Sequence, residues 1–120
     1  MLSPISQNDV VTTVCQWGHC RSVAMARHLH GRNIRAVPCG IVAASFVQIQ
    51  SLASVSHAII CMQPDYADFI RDVVGIQHHR LLVFDVGPDR WVNPYHPELQ
   101  SLVEALFESY QSDPRDYVKL

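Results

Sequence analysis

The sequence predicts an α/β fold, a three-layer sandwich with a central four-stranded parallel sheet. Short runs of β-branched and apolar residues alternate along the chain with segments in which apolar residues recur every three to four positions. Gly, Pro and Asn residues separate these segments, and no internal repeat, low-complexity stretch or linker interrupts them. Strands that alternate with helices in this way form parallel sheets covered by helices.

The first half of the chain supplies two strands and two helices. Residues 10–14 are all β-branched, which is typical of a buried parallel strand. Residues 22–30 are rich in Ala and Leu and predict a helix that Gly31 ends. Residues 34–37 predict a second strand, and residues 45–53 predict a weaker helix. The apolar residues of that weaker helix fall on one side: Phe46, Ile49, Leu52 and Ala53.

A third strand and a clearly amphipathic helix follow. Residues 57–62 predict the strand. Pro64 begins the helix and Gly75 ends it, because Pro is favoured in the first turn of a helix and Gly just after the last. The apolar positions of this helix have helical spacing and are assigned to the core: Tyr66, Phe69, Ile70, Val73 and Val74.

The last elements are a fourth strand, a long loop and a final helix. Residues 80–84 predict the strand, and residues 85–96 predict the loop, since they hold two prolines, a glycine and an asparagine. Pro97 begins the final helix, and residues from Asp113 onward are expected to fray. The core positions of the final helix are Leu99, Leu102, Val103, Leu106, Phe107 and Tyr110.

Length and composition fit a single domain, residues 1–120, with a core over about residues 10–111 and a tail at residues 113–120. Apolar residues make up 48% of the chain, which excludes a disordered protein. The net charge of −2 argues against nucleic-acid binding through a basic surface. The apolar runs are too short to span a bilayer, and the N-terminal residues lack a secretory pattern. We therefore expect a cytoplasmic protein with neither nucleic-acid nor membrane partners.

The spacing of cysteines and histidines indicates neither a disulfide framework nor a metal site. In a chain without a secretory pattern the four cysteines are expected to be free thiols, with Cys39 and Cys61 buried in strands. Among seven histidines, the pairs 28/30 and 78/79 have the wrong spacing for metal ligands on a helix, and the chain has no Cys-x-x-Cys. We expect no metal and no cofactor.

Two segments at the carboxyl ends of predicted strands, residues 15–22 and 85–91, carry reactive side chains. Ligands bind at that edge of a parallel sheet. The first segment has the pattern Cys15-x5-Arg21 followed by Ser22, between a strand and a helix. A short loop that runs into a helix directs its backbone N–H groups inward and, with the helix dipole, binds a tetrahedral oxyanion. The alternative is that Cys15 is a small buried residue and Arg21 a surface charge.

The chemistry of phosphate explains this spacing. Helix N-termini and neighbouring cations favour the thiolate form of a cysteine, so Cys15 is expected to attack the phosphorus of a bound phosphate in line. Arg21 is expected to donate hydrogen bonds to two oxygens of the same phosphate. Ser22 donates a hydrogen bond that holds the thiolate or the loop, and Gly18 adopts the positive φ that such a loop requires. The predicted phosphate-binding loop consists of Gln16, Trp17, Gly18, His19, Cys20, Arg21 and Ser22.

These residues resemble the low-molecular-weight protein tyrosine phosphatases, which carry Cys-x5-Arg-Ser just after the first strand. Other Cys-x5-Arg phosphatases and rhodanese-like domains carry the pattern late in the chain. Residues 84–89 and 97–99 also resemble a small bacterial branch described as predicted tyrosine phosphatases. The resemblance runs from about Val10 to Tyr110. It implies a low-molecular-weight phosphatase-like fold and a reaction through a phosphocysteine intermediate.

The resemblance implies roles for individual residues. Cys15 matches the nucleophile, Arg21 the residue that binds phosphate and stabilises transition-state charge, and Asp89 the general acid of a late loop. Cys20, directly before Arg21, matches a cysteine that in several family members forms a reversible disulfide with the nucleophile. Asp85 is a rival acid on the same loop, and we assign it to the strand end, where it orders the loop.

Some residues depart from the family pattern or have open roles. Val23 and Arg90 stand where the family often has proline. Trp17 and Trp91 are candidates for flanking an aryl phosphate, and a core or rim position is the equal alternative for each. His19 is expected to face solvent.

The expected function is that of a cysteine-dependent phosphate-monoester hydrolase, a protein-tyrosine phosphatase acting on a phosphorylated protein or a small aryl phosphate. The alternative is a catalytically inactive regulatory module that binds phosphate or another oxyanion. A thioredoxin-coupled arsenate reductase shares the fold and the loop but needs a further pair of closely spaced cysteines. In this chain only Cys61 lies in the second half.

Overall fold

Four parallel strands form one sheet at the centre of the molecule. The structure, a computed structural model, describes residues 4–77 and 80–114. The strands are β1 (Val10–Cys15), β2 (Arg35–Gly40), β3 (Ala58–Cys61) and β4 (Leu81–Val83). Their spatial order is β2-β1-β3-β4, and Cys15 at the end of β1 lies in register with Gly40 at the end of β2. The predicted parallel sheet is confirmed.

Helices flank this sheet in two packed groups. They are α1 (Arg21–Gly31), α2 (Phe46–Val55), α3 (Pro64–Asp68), a π-helical segment (Phe69–Val74) and α4 (Pro97–Ser112). The chain runs from β1 out to β2 and then back to β3 on the other side of β1. Right-handed crossovers in opposite directions place their helices on opposite faces. Accordingly α1 packs against α4, and α2 packs against the π-helical segment. The predicted α/β sandwich is confirmed.

One predicted helix has a different form. Residues 64–74 were expected to make a single α-helix, but α3 gives way at Phe69 to π-helical turns, and the N–H of Gly75 donates to the carbonyl of Ile70. The wider turn changes which side chains face the core, so that Val73 is 56% exposed. Its assignment to the core is therefore wrong. Gly75 ends the segment with φ of +82°, as predicted.

The end of α1 also differs from the prediction. The helix includes Gly31, and its cap is Arg32. The left-handed residue is Asn33, with φ of +62°, which lets the chain turn into β2. Asparagine tolerates this conformation because its short polar side chain can form local hydrogen bonds.

The predicted weak helix, α2, is anchored at its N-terminus by a reciprocal cap. The hydroxyl of Ser45 accepts a hydrogen bond from the Gln48 N–H at 3.2 Å, and the Ser45 N–H donates to the Gln48 side chain at 2.8 Å. This capping box provides acceptors for two backbone N–H groups, those of Ser45 and Gln48, and fixes the start of α2 beside the end of β2.

The topology places a crevice at the carboxyl end of β1. After β1 the chain passes to β2 on one side, and β3 pairs with β1 on the opposite side. Ligands of α/β proteins bind where the strand order reverses in this way. In the part of the chain that the structure describes, no helix is long and apolar enough to cross a membrane. The predictions for the N-terminal residues 1–3, the His78/His79 pair and the tail residues 115–120 lie outside the described residues.

Candidate active site

The loop after β1 wraps its backbone around the sulfur of Cys15. Cys15 is 3% exposed, and its sulfur lies 3.1 Å from the hydroxyl oxygen of Ser22. The N–H of Gly18 donates to the same sulfur at 3.2 Å. Gly18 has φ of +78°, the predicted conformation, and this turns its N–H inward. When the thiol ionises, the Ser22 hydroxyl and the Gly18 N–H are both in place as donors to the thiolate.

The end of β2 supports this loop from below through backbone contacts. The N–H of Ile41 donates to the Cys15 carbonyl at 3.0 Å, and the N–H of Val42 donates to the Gln16 carbonyl at 3.0 Å. Gly40 lies between these contacts and the loop, so close that a Cβ added to it would stand 2.2 Å from the carbonyl carbon of Trp17. Only glycine fits there. The sequence prediction missed Gly40, although a glycine at the carboxyl end of a strand is a signal of close backbone approach.

We expect Gly40→Ala to displace the loop. The added methyl group meets backbone on the loop side, so the substitution is expected to lower the free energy of unfolding by about 1–3 kcal/mol and to weaken oxyanion binding. Denaturant unfolding and the affinity for orthovanadate measure the two effects. Gly31→Ala is the matched control, since a Cβ at Gly31 meets nothing within 4 Å. Equal behaviour of the two variants would contradict the assignment.

Arg21, the first residue of α1, is completely buried and is held from two distant segments. Its Nη1 donates to Oε1 of Gln63 at 2.5 Å and to the carbonyl of Gly87 at 2.8 Å. Its Nη2 donates to the hydroxyl of Tyr66 at 2.7 Å, and the Tyr66 hydroxyl donates to the same Gln63 oxygen at 2.8 Å. The guanidinium therefore joins the loop after β1 to the segments that follow β3 and β4.

Two donors of Arg21 remain for a ligand. A guanidinium has five N–H donors, and the hydrogen bonds to the described residues use three of them. Nε is buried and has no hydrogen-bond partner among residues 4–77 and 80–114, and Nη2 keeps one N–H. These two nitrogens carry the pair of donors that planar, bidentate recognition of an oxyanion requires.

Asp89 lies beside the free Nε of Arg21. Its carboxylate oxygen is 3.7 Å from Nε, which is an ion pair beyond hydrogen-bond length, and the Asp89 side chain is 31% exposed. Asp85 has a different position, since its carboxylate accepts the Gly87 N–H at 2.9 Å at the start of the loop. Gly87 has φ of +85°, and the turn presents its carbonyl to Arg21. Asp85 thus orders the loop, as predicted, while Asp89 faces the guanidinium.

The three remaining cysteines are free thiols and are buried. Burial raises the pKa of the Cys20 thiol, and the negative charges of Asp89 and Cys15 raise it further against the opposing effect of Arg21. Burial likewise raises the pKa of Cys39 and, to a much greater extent, that of Cys61, whose side chain is completely buried at the end of β3. The buried strand positions predicted for Cys39 and Cys61 are confirmed.

The two tryptophans have different surroundings. Trp17 is 47% exposed and lines a cavity of about 560 Å³ between the loop, the end of β2 and α2. Trp91 is only 7% exposed, and the Arg90 guanidinium lies 4.2 Å from its ring centroid. The burial of Trp91 favours the alternative given for it, a position in the core, over a substrate-flanking role. His19 is exposed, as expected.

The site also contains residues without a motif signal. Gln63 and Tyr66 contact Arg21, but Tyr66 fits the apolar spacing of a core helix and Gln63 simply precedes that helix. Nothing in the sequence pairs them with a residue more than 40 positions earlier. Within the described ranges, no group of three or more His, Cys, Asp or Glu side chains is arranged to hold a metal ion.

Comparison with known proteins supports the fold. Among solved structures, the chain is similar to the YwlE arginine phosphatase from Geobacillus stearothermophilus, with a TM-score of 0.53 over 93% of this chain and 99% of that chain. The two sequences are 14% identical. No protein-family model and no curated protein matches the sequence. The predicted low-molecular-weight phosphatase-like fold is confirmed by this structural similarity.

Proposed function

We propose that this protein is a cysteine-dependent phosphate-monoester hydrolase. The observation that carries the proposal is the arrangement around one loop, in which the Cys15 sulfur receives the Gly18 N–H and the buried Arg21 keeps donors on Nε and Nη2. A phosphate bound to those donors and to the backbone N–H groups of the loop presents its phosphorus to the sulfur below. Asp89, whose partly exposed carboxylate lies 3.7 Å from Arg21 Nε, is the proposed proton donor to the leaving group.

The first step transfers the phosphoryl group to the protein. The Cys15 thiolate attacks phosphorus, the S–P bond forms, and the P–O bond to the substrate breaks in line. Asp89, protonated at this stage, gives its proton to the leaving oxygen. Arg21 stabilises the negative charge on the equatorial oxygens, since its position is fixed before the reaction begins.

The second step releases inorganic phosphate. The Asp89 carboxylate takes a proton from a water molecule, whose oxygen attacks the phosphorus as the S–P bond breaks. The electron pair of that bond returns to Cys15 as a thiolate, and Asp89 is again protonated. The Ser22 hydroxyl, 3.1 Å from the sulfur, donates to the departing thiolate.

We propose phosphotyrosine as the substrate residue. The exposed ring of Trp17 stands on the phosphate loop and offers an aromatic surface to a phenyl group beside the bound phosphate. Phosphoarginine is the second candidate, because the solved structure with the similar fold is described as an arginine phosphatase. Either substrate would reach the site as part of a protein, in the cytoplasm.

The test compares three substrates with the wild-type protein at mildly acidic pH, in the presence of a chelator and a thiol reductant. They are p-nitrophenyl phosphate, a phosphotyrosine peptide and a phosphoarginine peptide of the same sequence. We expect turnover of the first two, with kcat/KM for phosphotyrosine above that for phosphoarginine. The reverse order would replace phosphotyrosine by phosphoarginine.

Two other outcomes identify the alternative functions. Binding of phosphate without hydrolysis of any substrate would indicate a regulatory oxyanion-binding module. Reduction of arsenate dependent on Cys61 would indicate a reductase. The structure argues against the reductase, because the Cys61 side chain is wholly buried and its burial raises the pKa of the thiol.

A further inference from the structure

The hydrogen-bond acceptors that hold Arg21 are all uncharged. They are the side-chain oxygen of Gln63, the hydroxyl of Tyr66 and the main-chain carbonyl of Gly87. A buried arginine is ordinarily paired with a carboxylate, because an isolated charge in the interior is costly. Here the carboxylate of Asp89 lies at 3.7 Å, on the ligand side and partly exposed. Among residues 4–77 and 80–114, the buried side of the guanidinium has hydrogen-bond acceptors but no countercharge.

The chemistry of these acceptors has a consequence for phosphate binding. Neutral acceptors satisfy N–H groups and fix the plane of the guanidinium, but they do not neutralise its positive charge. A carboxylate at the position of Gln63 would satisfy the same N–H at the same distance and neutralise that charge. At short range in a protein interior, the electrostatic effect of such a charge on the bound phosphate is much larger than that of the hydrogen bond itself.

Tyr66 completes the arrangement by holding Gln63. Its hydroxyl accepts from Arg21 Nη2 and donates to Gln63 Oε1, so the three side chains form a closed ring of hydrogen bonds. The ring requires that the hydroxyl keep its proton. Burial raises the pKa of Tyr66, against the lowering effect of the Arg21 hydrogen bond, and so favours the neutral form.

We propose that Gln63 and Tyr66 are positioning residues for oxyanion recognition, which hold Arg21 through uncharged acceptors and leave the Nε N–H and one Nη2 N–H for the ligand. This inference rests on the proposed function of the site but adds residues that no motif indicated. It assigns the amide of Gln63 a specific role, in which glutamate, its closest isostere, is excluded.

The decisive variant is Gln63→Glu. We expect the dissociation constant for orthovanadate to rise about tenfold or more, since the new carboxylate neutralises the guanidinium. The KM for p-nitrophenyl phosphate is expected to rise by a similar factor, with a smaller change in kcat. Gln50→Glu is the matched control, because it adds the same charge on the exposed side of α2. That control is expected to leave both constants unchanged.

The second variant, Tyr66→Phe, removes the hydroxyl and keeps the buried ring. We expect a rise of about threefold to thirtyfold in the vanadate dissociation constant, the range for one hydrogen bond to a charged group. In an Arg21→Lys background the same change is expected to have little further effect, because a lysine does not use the hydroxyl in this way. A thermal unfolding midpoint for each variant separates loss of positioning from loss of folding.

The outcomes separate this inference from the proposed function. Tight vanadate binding by Gln63→Glu and Tyr66→Phe, equal to that of the wild type, would overturn the positioning role and leave the hydrolase intact. Vanadate binding by the wild type without turnover would overturn the hydrolase while the variants still test positioning. No vanadate binding by a folded wild-type protein would overturn both.

Discussion

Cys15→Ser is expected to abolish hydrolysis while the protein stays folded and still binds inorganic phosphate. A serine hydroxyl is not ionised at the pH of the reaction, and the loop has no base placed to activate it among the described residues. The expected loss of turnover is more than about 10³-fold. Arg21 and the loop N–H groups are unchanged, so phosphate affinity is expected to persist. Turnover of p-nitrophenyl phosphate and calorimetric titration with phosphate measure the two quantities.

Cys39→Ser is the control for this result. Cys39 is also a buried cysteine at the end of a strand, in the strand next to β1, and the mechanism does not use its sulfur. We expect this variant to keep turnover of the same order as the wild type. Hydrolysis by Cys15→Ser at a rate close to that of the wild type would exclude the thiolate mechanism.

Asp89→Asn is expected to change catalysis and binding in opposite directions. Loss of the proposed general acid is expected to lower kcat by about 10²–10⁴-fold. Removal of a negative charge 3.7 Å from Arg21 Nε relieves its competition with phosphate, so the phosphate dissociation constant is expected to fall. The carboxylate is partly exposed, and solvent reduces the gain to about threefold to tenfold. The loss of kcat is expected to be smallest for substrates with acidic leaving groups, which need no proton.

Asp85→Asn separates the two acids of this loop. An asparagine oxygen at that position can still accept the Gly87 N–H that the Asp85 carboxylate now accepts at 2.9 Å. We therefore expect nearly wild-type turnover and phosphate affinity. A large loss of kcat in Asp85→Asn with none in Asp89→Asn would transfer the role of general acid to Asp85.

Local sequence signals were sufficient for the sheet and for the loop. The β-branched run in β1 and the prolines and glycines between elements depend only on neighbouring residues, so they predict strands and boundaries. The pattern from Cys15 to Ser22 is equally local, because eight consecutive residues supply the sulfur, the turn and the arginine. The same holds for Gly18, whose positive φ follows from the turn alone.

Features that depend on contacts between distant parts of the chain could not be predicted from local sequence patterns. The π-helical turns that expose Val73 keep the apolar spacing of an α-helix, so periodicity does not reveal them. Local sequence does not distinguish a buried Trp91 from one that flanks a substrate, because its burial depends on tertiary packing. Gln63 reaches Arg21 because β3 lies beside β1, which is a property of strand order rather than of either residue.

The hydrogen bonds of Arg21 also bear on how the molecule folds. Its three acceptors lie 42, 45 and 66 positions further along the chain. Contacts of such separation form only after the intervening loops have closed, which costs entropy and takes time. A chain in which β1 and α1 have formed but β4 has not docked holds the cysteine and the arginine without an oriented oxyanion site. A ligand that binds the oriented guanidinium therefore binds the fully folded chain and stabilises it by mass action. A partly folded chain is expected to be inactive, because its arginine is not yet oriented.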